Sequence, residues 1–148
     1  MTRNAIAKTF AIAVASLALG LAPMAKADAK TCSNETIKGA FARRDTGFVT
    51  PPNAAPVPLA GLSVMTFDGD GRFTNVGFSN LAPGQSTSTG TYSVNPDCTG
   101  SYEADSAPGR VAFFVIVGGG NEIEILPSQS AAIICVARRV PLKSDSKD

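Results

Sequence analysis

Beyond residue 38 the chain repeats one arrangement. A run of six to eleven residues rich in β-branched and aromatic side chains is followed by a break of Gly, Pro, Asn or Asp. Such runs suit a pleated, half-buried strand, and such breaks supply the backbone angles of turns. Eight runs are predicted as strands: 39–49, 61–67, 72–79, 89–94, 99–105, 110–117, 121–126 and 130–140. The sixth, with Val111-Ala-Phe-Phe-Val-Ile-Val117, is the most apolar. The seventh sets Ile123 and Ile125 against Glu122 and Glu124, the alternation of a strand with one buried face. Asp68-Gly-Asp-Gly71, Asn95-Pro-Asp-Cys98, Ala107-Pro-Gly109, Gly118-Gly-Gly120 and Pro127-Ser-Gln129 read as turns. Residues 50–58, with four prolines, and 80–88, with Pro83-Gly84, read as longer loops, because proline donates no ladder hydrogen bond. Thr31 to Lys38 reads as a lead-in turn that Ser33 and Asn34 can cap.

No stretch after residue 27 keeps a helical period for more than a turn or two. Eight consecutive strands on mostly short connections favour an all-β, eight-stranded up-and-down antiparallel barrel, since closure leaves no unpaired edge. A β-sandwich is the alternative. An eight-stranded barrel is either filled by its own side chains or holds one small ligand.

The first 27 residues break the pattern. Arg3 and Lys8 precede an almost wholly apolar run, Phe10 to Leu21, and Ala25-Lys-Ala27 follows. That order predicts a secretory signal peptide cleaved after Ala27, too short in its apolar run to span a bilayer comfortably. Its type fits a bacterial exporter, with periplasm or medium as destination. The expected organisation is a signal peptide over 1–27, one barrel domain over 28–140 and a disordered charged tail over 141–148. No transmembrane segment is expected after signal removal. Losing Arg3, Lys8 and Lys26 leaves ten basic against twelve acidic residues, a balance that argues against nucleic-acid partners. The chain has no His, which excludes Ser-His-Asp and Cys-His catalysis and His-based metal centres.

Three cysteines in an exported chain suggest one disulfide and one free thiol. In up-and-down topology Cys32, ahead of the first strand, and Cys98, closing the 4–5 turn, lie at the same end of the barrel. Cys135 falls mid-strand, where bridging to a turn is harder. A Cys32–Cys98 bond is therefore expected, with Cys135 a buried free thiol whose apolar surroundings disfavour reactivity.

Gly39-Ala-Phe41 opens the first strand and Arg138-Arg139 closes the last, and closure makes these strands neighbours. This resembles the calycin pattern, lipocalins included, in which a basic residue of the last strand covers an aromatic of the first. Phe41 stands where that pattern usually has Trp. The resemblance implies a structural plug over the barrel floor. A wider resemblance runs from Cys32 to Arg139. Cys32-Ser-Asn34, Ile37-Lys-Gly39, Thr66-Phe-Asp-Gly69 and Gly90-Thr-Tyr-Ser-Val-Asn-Pro-Asp-Cys-Thr-Gly100 carry it, extended by Phe114-Val-Ile-Val117 and Ala137-Arg138. These stretches look like a group of small exported bacterial proteins with calycin-like or allene-oxide-cyclase-like barrels. That implies the fold and the export, and no reaction.

Candidate chemistry is sparse. Asp68-Gly-Asp70-Gly71 lacks the third ligand and the closing Glu of a calcium loop, so no metal is expected. No cofactor is expected either. Arg43 and Asp45 share the face of Phe41; if Phe41 points inward, Arg43 either meets an anionic ligand or pairs with an acid such as Glu103. Phe41, Arg43, Phe67, Tyr92, Tyr102 and Phe114 are the candidate ligand-binding residues. The expected function is non-catalytic binding of a small apolar or amphipathic ligand. The pocket would open at the end rimmed by 50–58, 80–88, 107–109 and 127–129. One alternative is a structural or inhibitory module that contacts an envelope or extracellular protein, with a filled barrel and an apolar outer patch. The other is a cofactor-free isomerase or cyclase, which needs Arg43, Glu103 or Tyr92 to face inward.

Overall fold

Alternation of inward and outward side chains builds most of the wall. In a computed structural model, which describes residues 31–127 and 131–141, eight strands follow one another around a closed antiparallel barrel. They are β1 (Gly39–Val49), β2 (Val57–Phe67), β3 (Arg72–Ser79), β4 (Ala82–Val94), β5 (Thr99–Ala104), β6 (Val111–Val117), β7 (Glu122–Pro127) and β8 (Ala131–Arg139). β8 closes on β1 with Phe41 opposite Arg139 and Asp45 opposite Cys135. The predicted barrel is therefore the fold, and the sandwich alternative is excluded. The expected signal peptide over 1–27 and residues 142–148 of the expected charged tail lie outside the described residues.

Two expected loops are shorter than the prolines suggested. Residues 80–88 belong mostly to β4, which starts at Ala82, so the β3–β4 hairpin turns through Asn80 and Leu81. Asn80 holds that turn: its Oδ1 accepts from Ala60 N at 2.8 Å and its Nδ2 donates to Pro58 O at 2.9 Å. The Ser86–Thr89 run then pairs with β3, Ser88 opposite Asn75 and Thr87 opposite Val76, because hydroxylated and β-branched side chains suit an exposed ladder. β2 likewise starts at Val57, with Pro58 opposite Phe48. Proline is tolerated there because β3 pairs with β2 only from Gly61 onward, which leaves Pro58 at an edge of the ladder.

One end of the barrel is a packed floor. Phe41, Phe67 and Tyr92 meet edge to face, with ring centroids 5.7 Å apart for Phe41–Phe67 and 4.9 Å for Phe67–Tyr92. Phe73 joins them beside Phe67. Such pairs add about 0.5–1.5 kcal/mol each beyond burial. A 3-10 turn over Asn34–Ile37 drives Ile37 into the opening from below, fully buried. Asn34 ties that turn to β4, its Oδ1 accepting from Val94 N at 2.9 Å. Arg139 closes the floor with its guanidinium 4.7 Å from the Phe41 ring centroid. It donates to the carbonyls of Lys38, Thr36 and Gly120. Gly39 has a φ of +119°, which strains any other side chain, and a Cβ there would also crowd the Arg139 guanidinium at 3.1 Å. The Cys32–Cys98 disulfide spans 66 residues and fastens the lead-in beneath the floor. A crosslink of this kind contributes roughly 2–4 kcal/mol.

Candidate binding site inside the barrel

Above the floor the interior becomes polar. Alternation from Phe41 brings Arg43 and then Asp45 inward on β1, each mostly buried, with side-chain exposures of 14% and 18%. Arg43 Nε donates to Asp45 Oδ1 at 2.6 Å, one Nη to the Tyr102 hydroxyl at 3.0 Å and the other to Cys135 Sγ at 3.4 Å. Three strands thus meet at one guanidinium, β1 supplying both Arg43 and Asp45, β5 Tyr102 and β8 Cys135. Burial works against the Arg43 charge, but the surrounding Tyr102, Asp45 and Cys135 outweigh it and hold the guanidinium ionised. Burial also raises the Tyr102 phenol, opposed by Arg43. It pushes the Cys135 thiol up to about 12, so near neutral pH Cys135 is a thiol and a poor nucleophile.

Two more polar side chains belong to this belt. Ser63 is the register partner of Arg43, and Asn75 is the partner of Met65, one inward position further along β2. Ser63 Oγ and Asn75 Oδ1 are buried and have no hydrogen-bond partner among the described residues. A buried polar atom without a partner costs roughly 1–3 kcal/mol. Nearer the rim the lining turns apolar again, with Val49, Leu59, Ala104, Ala112 and Ile133. The interior is therefore layered: aromatic floor, polar belt, aliphatic collar.

Comparison with protein-family models, curated proteins and solved structures finds no match to this chain. The site must speak through its own chemistry.

Five of the six candidate residues fall into two groups. Arg43 and Tyr102 lie in the belt and bond to each other. Phe41, Phe67 and Tyr92 lie in the floor, where their rings pack on one another. The Tyr92 hydroxyl is also committed there, accepting from Gly69 N at 2.9 Å. Phe114 lies over Gly100, and Phe73 over Gly90. A Cβ on either glycine would come within 2.5 Å of a ring carbon. The bare backbone of these glycines is filled by rings. The acid that pairs with Arg43 is Asp45, and not Glu103, because period two puts Asp45 on the same face of the same strand. Glu103 instead accepts from Gly109 N at 2.6 Å. Reasoning from residue types passed over Ser63 and Asn75. Their signal was parity alone: Ser63 follows Phe67 and Met65 on one face of β2, and Asn75 follows Phe73 on β3. At the floor turn Asp68 Oδ1 accepts from the backbone N–H groups of Asp70, Gly71 and Arg72. Its carboxylate is thereby a turn-former. No cluster of metal-ligating side chains occurs among the described residues, and no helix among them is long and apolar enough to cross a membrane.

Proposed function

We propose that this is an exported, non-catalytic binding protein that takes a small amphipathic molecule head first into the barrel. The observation that carries this reading is the pair of partnerless atoms, Ser63 Oγ and Asn75 Oδ1, beside the Arg43–Asp45 pair. A fold that only needed a core would fill these positions with apolar side chains, as it does four residues away at Phe67. Asp45 already balances the charge of Arg43, so a carboxylate head would compete with Asp45. The belt instead suits a neutral head that both donates and accepts, such as a hydroxyl or an amide. Such a group donates to Asn75 Oδ1 and accepts from the Ser63 and Tyr102 hydroxyls. The aliphatic collar covers the apolar part. The Cys32–Cys98 disulfide supports an oxidising destination, and the order of residues 1–27 supports export to a bacterial periplasm or the medium.

Native mass spectrometry of protein purified from a periplasm tests this. A reproducible extra mass, lost on denaturation and absent from Ser63→Leu and Asn75→Leu variants, is the expected result. Added 1-decanol and decanamide should then compete for the site better than decanoate. The bare mass, with no displacement of belt resonances by either neutral probe, would overturn the reading. It would move the function to the outer surface.

A further inference from the structure

The outside of the barrel has two unlike walls. On β4 the outward positions are Thr87, Thr89, Thr91 and Ser93, all exposed and polar. On β6, β7, β8, β1 and β2 they include Phe113, Leu126, Ile134 and Leu62, exposed by 56%, 61%, 67% and 65%. An open groove of about 580 Å³ runs between β5 and β8, with Phe113, Leu126 and Ile134 on its sides. An apolar wall of this extent is unusual for a surface facing only water.

The charges on that wall are arranged about β8. Val136 is flanked by Glu124 on β7 and by Arg44 on β1, each its direct register partner. Among the described residues neither Glu124 nor Arg44 forms an ion pair. One step further out, Val115 stands beside Glu124 and Leu62 beside Arg44. Acid and base are thus related by reflection across the strand. A two-fold axis lying along β8 in the plane of contact exchanges the two sides. Glu124 then faces Arg44 of the second copy, twice over. Ile134 and Val136 meet their own counterparts on the axis. In the next row Phe113 faces Ala60 and Leu126 faces Thr46, large against small. At the far end of β8, Arg138 already holds Glu122 of its own chain at 2.6 Å, so its approach to its own counterpart is neutralised.

We infer that this wall is an isologous interface: the protein pairs with a second copy of itself through β7, β8 and β1, with reciprocal Glu124–Arg44 ion pairs across an apolar seam. The self-complementary order of charge and bulk selects a second copy over an unrelated partner, since an isologous contact must present the same patch from both sides. The polar β4 wall remains outward. Nothing in this pairing depends on the interior belt.

Sedimentation velocity on the full exported protein tests it, with circular dichroism confirming the fold of each variant. The wild type is expected to be dimeric. Glu124→Arg alone and Arg44→Glu alone each place like charges in contact and should weaken the dimer by roughly a hundredfold. Mixing these two variants should restore a dimer, because each supplies the charge that the other lacks. Thr91→Lys on the opposite wall should change nothing. A monomeric wild type at every accessible concentration would overturn the inference. So would a dimer indifferent to both charge reversals, or two variants that fail to associate on mixing.

Discussion

Phe67 and Ser63 stand on the same strand and point into the same barrel, yet their surroundings have nothing in common. Phe67 is packed against Phe41, Phe73 and Tyr92. Ser63 has a buried hydroxyl with no partner among the described residues. The same alternation produced both positions. The difference is that, among the described residues, no buried side-chain polar atom of the floor lacks a partner, whereas the belt leaves Ser63 Oγ and Asn75 Oδ1 without one. Stability accounts for the floor. It does not account for the belt, where each unpartnered atom works against folding. Regions of this kind, costly to the fold and kept together across strands, are where binding is expected.

That contrast can be broken most sharply at the floor. Phe67→Ala should lower stability by about 3–5 kcal/mol, the usual cost of emptying a ring from a packed core, read as a drop in the urea midpoint. A loss under about 1 kcal/mol would mean that the floor is not the core. The next largest effect belongs to the ion pair of the belt. Asp45→Ala strands the Arg43 charge inside the barrel and should cost roughly 3 kcal/mol, whereas Arg43→Met together with Asp45→Ala should recover most of that loss. A double-mutant cycle with no coupling would show that the two side chains are independently solvated. Ser63→Ala should go the other way. Removing a partnerless hydroxyl is expected to leave stability unchanged or raise it by up to about 1 kcal/mol, while weakening any adduct seen by native mass spectrometry.

The smallest effect lies under the floor and depends on pH. The backbone N–H of Arg72, with those of Asp70 and Gly71, holds the Asp68 carboxyl below its ordinary value of 3.8. A carboxyl depressed in the folded state contributes its stability above the unfolded value and loses it as pH falls through the folded one. Thermal unfolding of the wild type should therefore weaken on acidification below about pH 4. Asp68→Asn should show a shallower decline over the same range. Parallel curves for the two proteins would assign the acid sensitivity to other carboxyls.

Much of this protein was legible before any coordinates. Spacing of turn residues marked eight strands, because the period of a strand and the chemistry of Gly, Pro, Asn and Asp are local properties. Closure followed from strand count and short connections. The cysteine pairing followed from which turns share an end. Charge balance and the missing histidines excluded whole classes of chemistry, since composition needs no fold to be read. Local rules failed where long-range pairing prevailed. Pro58 and the Ser86–Ser88 run looked like loop, but pairing with β1 and β3 drew them into the ladder.

The site was half visible. Arg43 and Asp45 share a face by parity alone, and both proved to be inward. Their meeting with Tyr102 and Cys135, 59 and 92 residues away from Arg43, is set by strand order and register around the closed barrel. So is the neighbourhood of Ser63 and Asn75, whose lack of partners is a property of three-dimensional packing. On the outer wall, too, each strand's exposed residues can be read from alternation, but the placing of Glu124 and Arg44 on either side of Val136 cannot. Alternation is a rule within one strand. Which side chains face one another is decided between strands, and only the closed barrel fixes that.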